Sequence, residues 1–253
     1  MKIVRFQISN GLVHYGELRE NSICQIINFS YQQREYVLGE EFSLSQTKII
    51  APVTPGKVIG LAYNYKDLVG EKEKYEEPLV FLKSTESIIG PNDTIQIFEG
   101  GKTWAEVELV VVIGKDCSNV IPELASEYIF GYTIGNDVTM ANVYNRDHHL
   151  ARSKAIDTFC PVGPYIETSL DVKNLSLKHK INGISFQNGN TNNQILNDVE
   201  AVSLVSSFMK LNPGDIILTG TPANAMNSLI TDGDHIEMEI TNLGVLSNQV
   251  HFK

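Results

Sequence analysis

The chain has 253 residues, of which 42% are hydrophobic and 20% are charged, and its formal net charge is −10. This composition is typical of a globular protein with one main core, and the acidic balance argues against nucleic acid and anionic membranes as partners. The apolar stretches, such as residues 109–113, are too short to span a bilayer, and residues 1–5 are typical of a strand rather than a signal peptide. We therefore expect a cytoplasmic protein.

Three short strands are predicted at the start of the chain, over residues 2–8, 12–19 and 22–27, because polar and apolar side chains alternate there. A polar stretch, residues 32–47, separates them from a denser and more apolar pattern. We therefore predict a small N-terminal β subdomain over residues 1–50 and a larger domain over residues 51–253.

The larger domain is predicted to be mainly β. One helix is expected, capped by Asp198, with Val202, Val205, Phe208 and Met209 as its buried stripe. Hairpins are predicted at Asn182-Gly183 and at Leu243-Gly244. A mixed β-sandwich or closed roll, an α+β fold that is mainly β, fits this pattern best. Its strands are predicted over residues 58–62, 79–82, 107–113, 129–134, 216–219 and 235–240.

Three carboxylates stand at strand ends. Glu106 and Glu108 are two positions apart at the start of the strand over 107–113, so both side chains lie on one face. Two like charges on one face of a strand indicate either a bound cation or an edge strand in water. Asp137 directly follows the strand over 129–134, which favours the cation. Three oxygen ligands suit Mg²⁺ or Mn²⁺, with Ca²⁺ as an alternative.

Two further segments carry groups that bind anions. Lys154 lies in a half-apolar run and could pair with buried carboxylates or with a substrate oxyanion. The strand over 216–219 ends at Thr219-Gly220-Thr221, where hydroxyls and a glycine N–H can hold a carboxylate. Each segment alone is also compatible with an ordinary surface lysine or an ordinary turn.

Taken together and in order, these segments resemble the fumarylacetoacetate hydrolase family over nearly the whole region from residue 55 to residue 250. The similar stretches are residues 59–67, 78–83, 89–91, 106–114, 131–139, 154–164, Gln187 with 189–191, and 213–222.

This resemblance implies a mixed β-sandwich roll of the fumarylacetoacetate hydrolase C-terminal type, usually as a homodimer, with residues 51–253 as the catalytic domain. It implies Mg²⁺ or Mn²⁺ on Glu106, Glu108 and Asp137, with Lys154 beside the metal as a catalytic residue. Tyr65, Gln187 and Thr221 are then expected to bind the substrate, a small 2-oxo acid chelated by the metal. The reactions of the family share an enolate of that acid.

The sequence departs from the family pattern after Asn64-Tyr65. Family hydrolases typically carry a histidine and a glutamate there that activate water, but Leu68 occupies the histidine position while Glu71 keeps the glutamate position as a candidate catalytic residue. Segments 140–142 and 223–226 also differ and are expected to border the pocket. His148 and His149 are candidates to replace the missing base.

Three functional hypotheses follow. The first is hydrolysis of a C–C bond in an acylpyruvate-like substrate, with oxaloacetate-type decarboxylation or isomerisation of a 2-hydroxy-dienoate as the alternative because of Leu68. The second is a degenerate family member without activity, and the third is a structural β protein with solvated acidic residues. Retention of all three carboxylates and Lys154 favours an enzyme.

Overall fold

The computed structural model describes residues 1–70 and 77–253 of the chain. The N-terminal strands are β1 (Lys2–Ile8), β2 (Val13–Leu18), β3 (Ser22–Ile27), β4 (Val37–Ser43) and β5 (Thr47–Ile50). There follow β6 (Val58–Ala62), β7 (Leu79–Lys83), β8 (Ile88–Ile89), β9 (Thr94–Ile97), β10 (Thr103–Trp104), β11 (Val107–Ile113), β12 (Ile129–Asn136), β13 (Thr139–Met140), β14 (Cys160–Glu167), β15 (Ser176–Ile181), β16 (Ile184–Asn190), β17 (Ile216–Leu218), β18 (His235–Ile240) and β19 (Gly244–Phe252). The α-helices are α1 (Lys66–Val69), α2 (Pro122–Ala125), α3 (Ala151–Lys154) and α4 (Asp198–Phe208).

A large mixed sheet carries the N-terminal strands and the strands of the later region together. Its main path runs β4-β3-β2-β1-β14-β12-β11-β17-β6-β7, with β5 beside β1 and β8 beside β14. The connection between the two regions is antiparallel pairing of β1 with β14, which sets Ile3 opposite Ile166. The first fifty residues therefore extend the same sheet that carries β11 and β12, and a division near residue 50 stays a prediction.

A second sheet, in the order β16-β15-β18-β19-β9, packs against one face of the large sheet. The core between them contains Leu109 and Ile134 from the large sheet and Leu177, Met238 and Leu246 from the second. This face-to-face packing of two sheets confirms the predicted fold, an α+β architecture that is mainly β.

Both predicted hairpins are present in the second sheet. Asn182 and Gly183 join β15 to β16 with φ angles of 51° and 79°. These are the positive values that a two-residue hairpin turn requires, and they explain the Asn-Gly dipeptide. The later hairpin joins β18 to β19 through residues 241–243, and Gly244, with φ of 80°, begins the second strand.

Helix α4 packs on the same large sheet through Val202 and Val205, beside Val111 and Ile113 of β11. Two details of the predicted helix were wrong. The N-cap is Asn197, whose side chain accepts from the backbone N–H of Glu200 in a reciprocal capping box. Phe208 is 58% exposed because it lies at the last turn, where the helix has left the core.

Several strands were not predicted, and two of them, β4 and β14, carry residues that are unusual in strands. β4 lies in the polar stretch and is exposed at six of its seven positions, as an edge strand that pairs only with β3 can be. β14 contains Pro161 and Pro164, which argue against a strand by propensity, although its side chains are mostly buried. Among the helices of the described residues, none is long and apolar enough to cross a membrane.

Candidate metal centre and active site

Three buried carboxylates meet where β11 and β12 come together. Glu106 directly precedes β11, Glu108 is its second residue, and Asp137 directly follows β12. Their side chains each offer one oxygen, and these oxygens lie within 4.8 Å of one another. The residues are 9%, 1% and 0% exposed, respectively. The predicted trio is therefore brought together in a nearly dry site rather than spread along a solvated edge.

The antiparallel register of β11 and β12 places these side chains. It sets Glu108 opposite Gly135 and Val107 opposite Asn136. The side-chain oxygen of Asn136 accepts from the backbone N–H of Glu106 at 3.0 Å, and the backbone N–H of Asp137 donates to the carbonyl of Glu106 at 3.0 Å. The two strand ends are thereby locked together before any ligand binds.

The ammonium groups of two lysines contact the carboxylates and compensate part of their negative charge. Lys154, at the end of α3, donates to Glu106 Oε2 at 3.0 Å and also contacts Asp137 Oδ2. Lys83, the last residue of β7, donates to the other carboxylate oxygen of Asp137. Sequence reasoning singled out Lys154 but missed Lys83. The signal was present, because Lys83 ends an otherwise apolar strand, where a solvated lysine is out of place.

The carboxylates differ in their electrostatic environment. Burial raises the pKa of Glu108 well above its ordinary value, and the charges of Asp137 and Glu106 add to the shift. Burial also raises the pKa of Glu106, against the opposing charge of Lys154. Burial acts to raise the pKa of Asp137 too, but Lys154 and Lys83 outweigh it and the pKa lies below its usual range. A negative charge on Glu108 therefore calls for a further cation.

Glu108 has a backbone donor of its own. The N–H of Gly220 donates to Glu108 Oε2 at 2.6 Å across 112 positions of sequence. Gly220 has φ of 92°, and a Cβ there would lie 2.9 Å from Leu61 O, so glycine is required for both conformation and space. The predicted anion-binding segment at residues 219–221 thus holds a carboxylate of the protein itself.

A cavity of about 330 Å³ opens beside the trio. Glu106, Glu108, Asp137 and Lys154 form one end of it. Segments 140–142 and 223–226 were expected to border the pocket, and each contributes two residues to its wall. These wall residues are Met140, Asn142, Ala225 and Met226.

The three predicted substrate-binding residues differ in whether they line the cavity or are buried behind its wall. Thr221 lines the cavity, and its hydroxyl donates to Val107 O at 2.9 Å. Gln187 is fully buried behind it and donates to Thr221 Oγ1 at 3.0 Å. Tyr65 is also fully buried; burial raises the pKa of its phenol, and the charge of Glu108 adds to the shift. Substrate contact by these residues stays a prediction.

The candidate bases that the structure describes lie outside the cavity wall. Leu68, in α1, lines the cavity at the position where a histidine was expected. Glu71 lies outside the described residues. His148 and His149 are exposed, and neither belongs to the cavity wall. Within residues 1–70 and 77–253, the wall therefore carries no histidine.

The profile of the fumarylacetoacetate hydrolase C-terminal region matches residues 57–251. The chain belongs to the fumarylacetoacetate hydrolase family. The match begins just before β6 and ends in β19, so it includes the carboxylate trio, both lysines and Gly220. The resemblance seen in the sequence motifs is confirmed.

Similar proteins of this family carry several names. The mitochondrial oxaloacetate tautomerase of Xenopus laevis is 36% identical over 228 residues, which cover 82% of this chain and 70% of that protein. The 5-carboxymethyl-2-hydroxymuconate delta-isomerase of Mycobacterium smegmatis has a TM-score of 0.92 and 33% identity, with full coverage of both chains. Maleylpyruvate hydrolase of Sphingobium, in a complex with manganese(II) and pyruvate, has a TM-score of 0.82 and 27% identity, covering 100% of this chain and 99% of that chain.

The site residues of this family member fit a divalent cation. The ligand set is three carboxylate oxygens, which hard cations such as Mg²⁺ and Mn²⁺ prefer. With all three carboxylates ionised against two ammonium groups, the described site would carry one negative charge in excess. A divalent ion would offset that excess, whereas the raised pKa of Glu108 shows the cost of leaving it uncompensated.

Proposed function

We propose that the protein is a divalent-metal-dependent enzyme that interconverts the keto and enol forms of a small 2-oxo acid. The observation that carries this proposal is the buried trio of Glu106, Glu108 and Asp137, with Lys154, at one end of a cavity whose described wall lacks a histidine. The likeness to an oxaloacetate tautomerase and to a hydroxymuconate isomerase supports the same class of reaction.

The three carboxylates would hold Mg²⁺ or Mn²⁺. When bound, such an ion supplies a Lewis acid toward the keto and carboxylate oxygens of the substrate. The carboxylates are held in place beforehand, because Asn136 positions Glu106 and Gly220 positions Glu108. Little reorganisation is therefore needed when the ion and the substrate enter.

Lys154 supplies a fixed positive charge. Burial acts to lower the pKa of its ammonium, but Asp137 and Glu106 outweigh that effect and raise it above the ordinary value. Lys154 is therefore protonated at neutral pH in the metal-free site. Its role is electrostatic: when the C3 proton leaves, the bonding electrons form the C2=C3 double bond, and the positive charge stabilises the oxyanion on C2.

Hydrolysis makes a further demand, because water must be activated by a proton acceptor. Leu68 offers only carbon atoms at the position of the missing histidine. Enolisation needs only the transfer of a C3 proton, and Glu71 remains a predicted carrier for it. Hydrolysis of an acylpyruvate is the second candidate, and the likeness to maleylpyruvate hydrolase favours it.

Deuterium exchange at C3 tests the proposal directly. The exchange of several 2-oxo acids in D₂O is followed by ¹H NMR with Mn²⁺ and with a chelator, and acylpyruvate cleavage is measured in parallel. We expect metal-dependent exchange that is lost in Glu106→Gln and Asp137→Asn while circular dichroism is unchanged. Exchange that persists in either variant would contradict the metal site.

The second candidate has its own test. Leu68→His restores a proton acceptor to the wall and is expected to raise acylpyruvate cleavage relative to exchange, whereas Leu68→Asn, polar but not basic, is not. Cleavage by the wild type that is faster than exchange would favour hydrolysis as the main reaction.

A further inference from the structure

The cavity beside the carboxylates has two chemically different parts. Its charged end holds the carboxylate trio and Lys154. The wall also contains six aliphatic or thioether side chains: Leu61, Leu68, Leu79, Met140, Leu150 and Met226. These residues come from separate segments, so the apolar surface is formed by the fold rather than by a single loop.

The polar side chains of the wall are largely engaged within the protein. Asn142 accepts from the backbone N–H of Asp147 at 3.0 Å, and the Ser153 hydroxyl donates to Asp147 Oδ2 at 2.8 Å. The indole N–H of Trp104 donates to Glu106 Oε1 at 2.6 Å. The amide of Asn142 also donates to Asp147 O at 3.3 Å. These three side chains already have partners for their donors, so they are poorly placed to receive a second anionic group of a substrate.

The hydroxyl groups of Thr139 and Thr221 follow the same pattern. Thr139 donates to Asp137 O at 3.0 Å, and Thr221 donates to Val107 O at 2.9 Å. In the described parts of the chain, Lys154 is the one cationic side chain of the wall, and it pairs with Glu106 and Asp137. A second carboxylate would therefore find no cation other than Lys154 among the described wall residues, whereas an apolar group would bury surface against the carbon side chains.

We infer that the 2-oxo acid taken by this cavity carries an uncharged apolar group beyond C3, such as a short alkyl chain, rather than a second carboxylate. This inference rests on the proposed function, because the 2-oxo acid head must lie at the carboxylate trio. A volume of about 330 Å³ is at the small end for ligand pockets and suits a short side group.

Two acids of equal chain length test the inference. 2-Oxohexanoate ends in a methyl group and 2-oxoadipate ends in a carboxylate, so only the distal group differs. With the Mn²⁺-loaded protein, kcat/KM for C3 exchange is expected to be at least about 10-fold higher for 2-oxohexanoate. Calorimetric titration of the same protein should also show tighter binding of 2-oxohexanoate than of 2-oxoadipate, and this measurement does not require turnover.

A variant that adds a cation to the wall should reverse the preference. Leu79 is 46% exposed at the edge strand β7, so Leu79→Arg introduces a guanidinium with little cost to folding. We expect the ratio of 2-oxohexanoate to 2-oxoadipate to fall by at least about 10-fold, and Leu79→Met to keep the wild-type ratio. Met140→Arg places the charge on a different strand of the wall, β13, and serves as a second variant.

The two readouts separate the inference from the function. If kcat/KM for C3 exchange in the wild type is equal for the two acids or higher for 2-oxoadipate, the inference is overturned and the enolisation proposal stands. Tighter calorimetric binding of 2-oxohexanoate without exchange of either acid supports the apolar selectivity and overturns the enolisation proposal. An unchanged ratio in both Leu79→Arg and Met140→Arg overturns the assignment of selectivity to this wall.

Discussion

Lys83 and Asp137 form an ion pair whose side chains are 0% and 1% exposed. Lys83 ends β7 and Asp137 follows β12, and the sheet path places β11, β17 and β6 between those strands. In a flat sheet, strands four places apart would be separated by about 19 Å, well beyond the reach of a lysine side chain. The contact therefore requires the large sheet to curl around the site, so that strands distant in the sheet contribute to one charge cluster.

Lys83→Met should destabilise the metal-free protein strongly, because it leaves part of a buried carboxylate charge uncompensated. We expect the free energy of unfolding to fall by about 3 to 5 kcal/mol, measured by chemical denaturation. Lys210→Met is the control: it breaks a pair whose side chains are 59% and 60% exposed, and it should cost less than about 1 kcal/mol. Equal losses in the two variants would contradict a buried role for Lys83.

Lys154→Met should separate turnover from metal binding. Loss of the positive charge beside the substrate oxyanion is expected to lower kcat for C3 exchange by about 100-fold. Mn²⁺ affinity, measured by calorimetry, should not weaken, because a competing positive charge next to the ligands has been removed. Lys48→Met, at a side chain that is 59% exposed, should leave both quantities unchanged. An unaltered kcat in Lys154→Met would remove Lys154 from the catalytic group.

Gly220→Ala should weaken both stability and metal binding. The new Cβ would lie 2.9 Å from Asn64 Cβ and from Leu61 O, so the segment that donates to Glu108 must shift. Gly183→Ala also has positive φ but meets no atom within 4 Å, and its cost should be about 1 to 2 kcal/mol. We expect a larger loss for Gly220→Ala and a Mn²⁺ affinity about 10-fold lower, by denaturation and calorimetry. Wild-type Mn²⁺ affinity in Gly220→Ala would contradict the positioning role.

His179 should make stability depend on pH. Burial lowers the pKa of its imidazole from 6.5 to about 4, with Gln187 opposing the shift. The unfolded chain therefore takes up a proton at higher pH than the folded chain. As a result, the folded state has its full stability with respect to this residue above pH 6.5 and loses stability as the pH falls toward 4.

The corresponding measurement compares unfolding free energies at pH 7 and pH 5. Between these values, His179→Leu should lose about 2 kcal/mol less stability than the wild type. His148→Leu changes an exposed histidine and should follow the wild type. A pH dependence in His179→Leu equal to that of the wild type would show that the imidazole is not buried as a neutral group.

The sequence determined the features that depend on local pattern. Alternation of side chains predicted β1 and β3 at their observed bounds, and a short apolar run predicted β6. Asn182-Gly183 predicted its hairpin because only a few residues tolerate positive φ. The two-residue spacing of Glu106 and Glu108 predicted a shared face of β11, since strand geometry has a period of two. The exposed edge strand β4 and the proline-containing β14 escaped the same reasoning, because pairing partners rather than local pattern stabilise them.

Only the tertiary structure decided how distant segments complete the site. The pairing of β11 with β12 brings Asp137 to Glu106, and the curl of the sheet adds Lys83 from β7. The contact of Gly220 with Glu108 joins residues 112 positions apart. Such contacts depend on register and curvature, which arise from packing of the whole core and leave no periodic trace in the sequence. The carboxylates could be predicted because they stand at the start of one strand and at the end of its neighbour, whereas the contact of Lys83 and the apolar wall of the cavity required the fold.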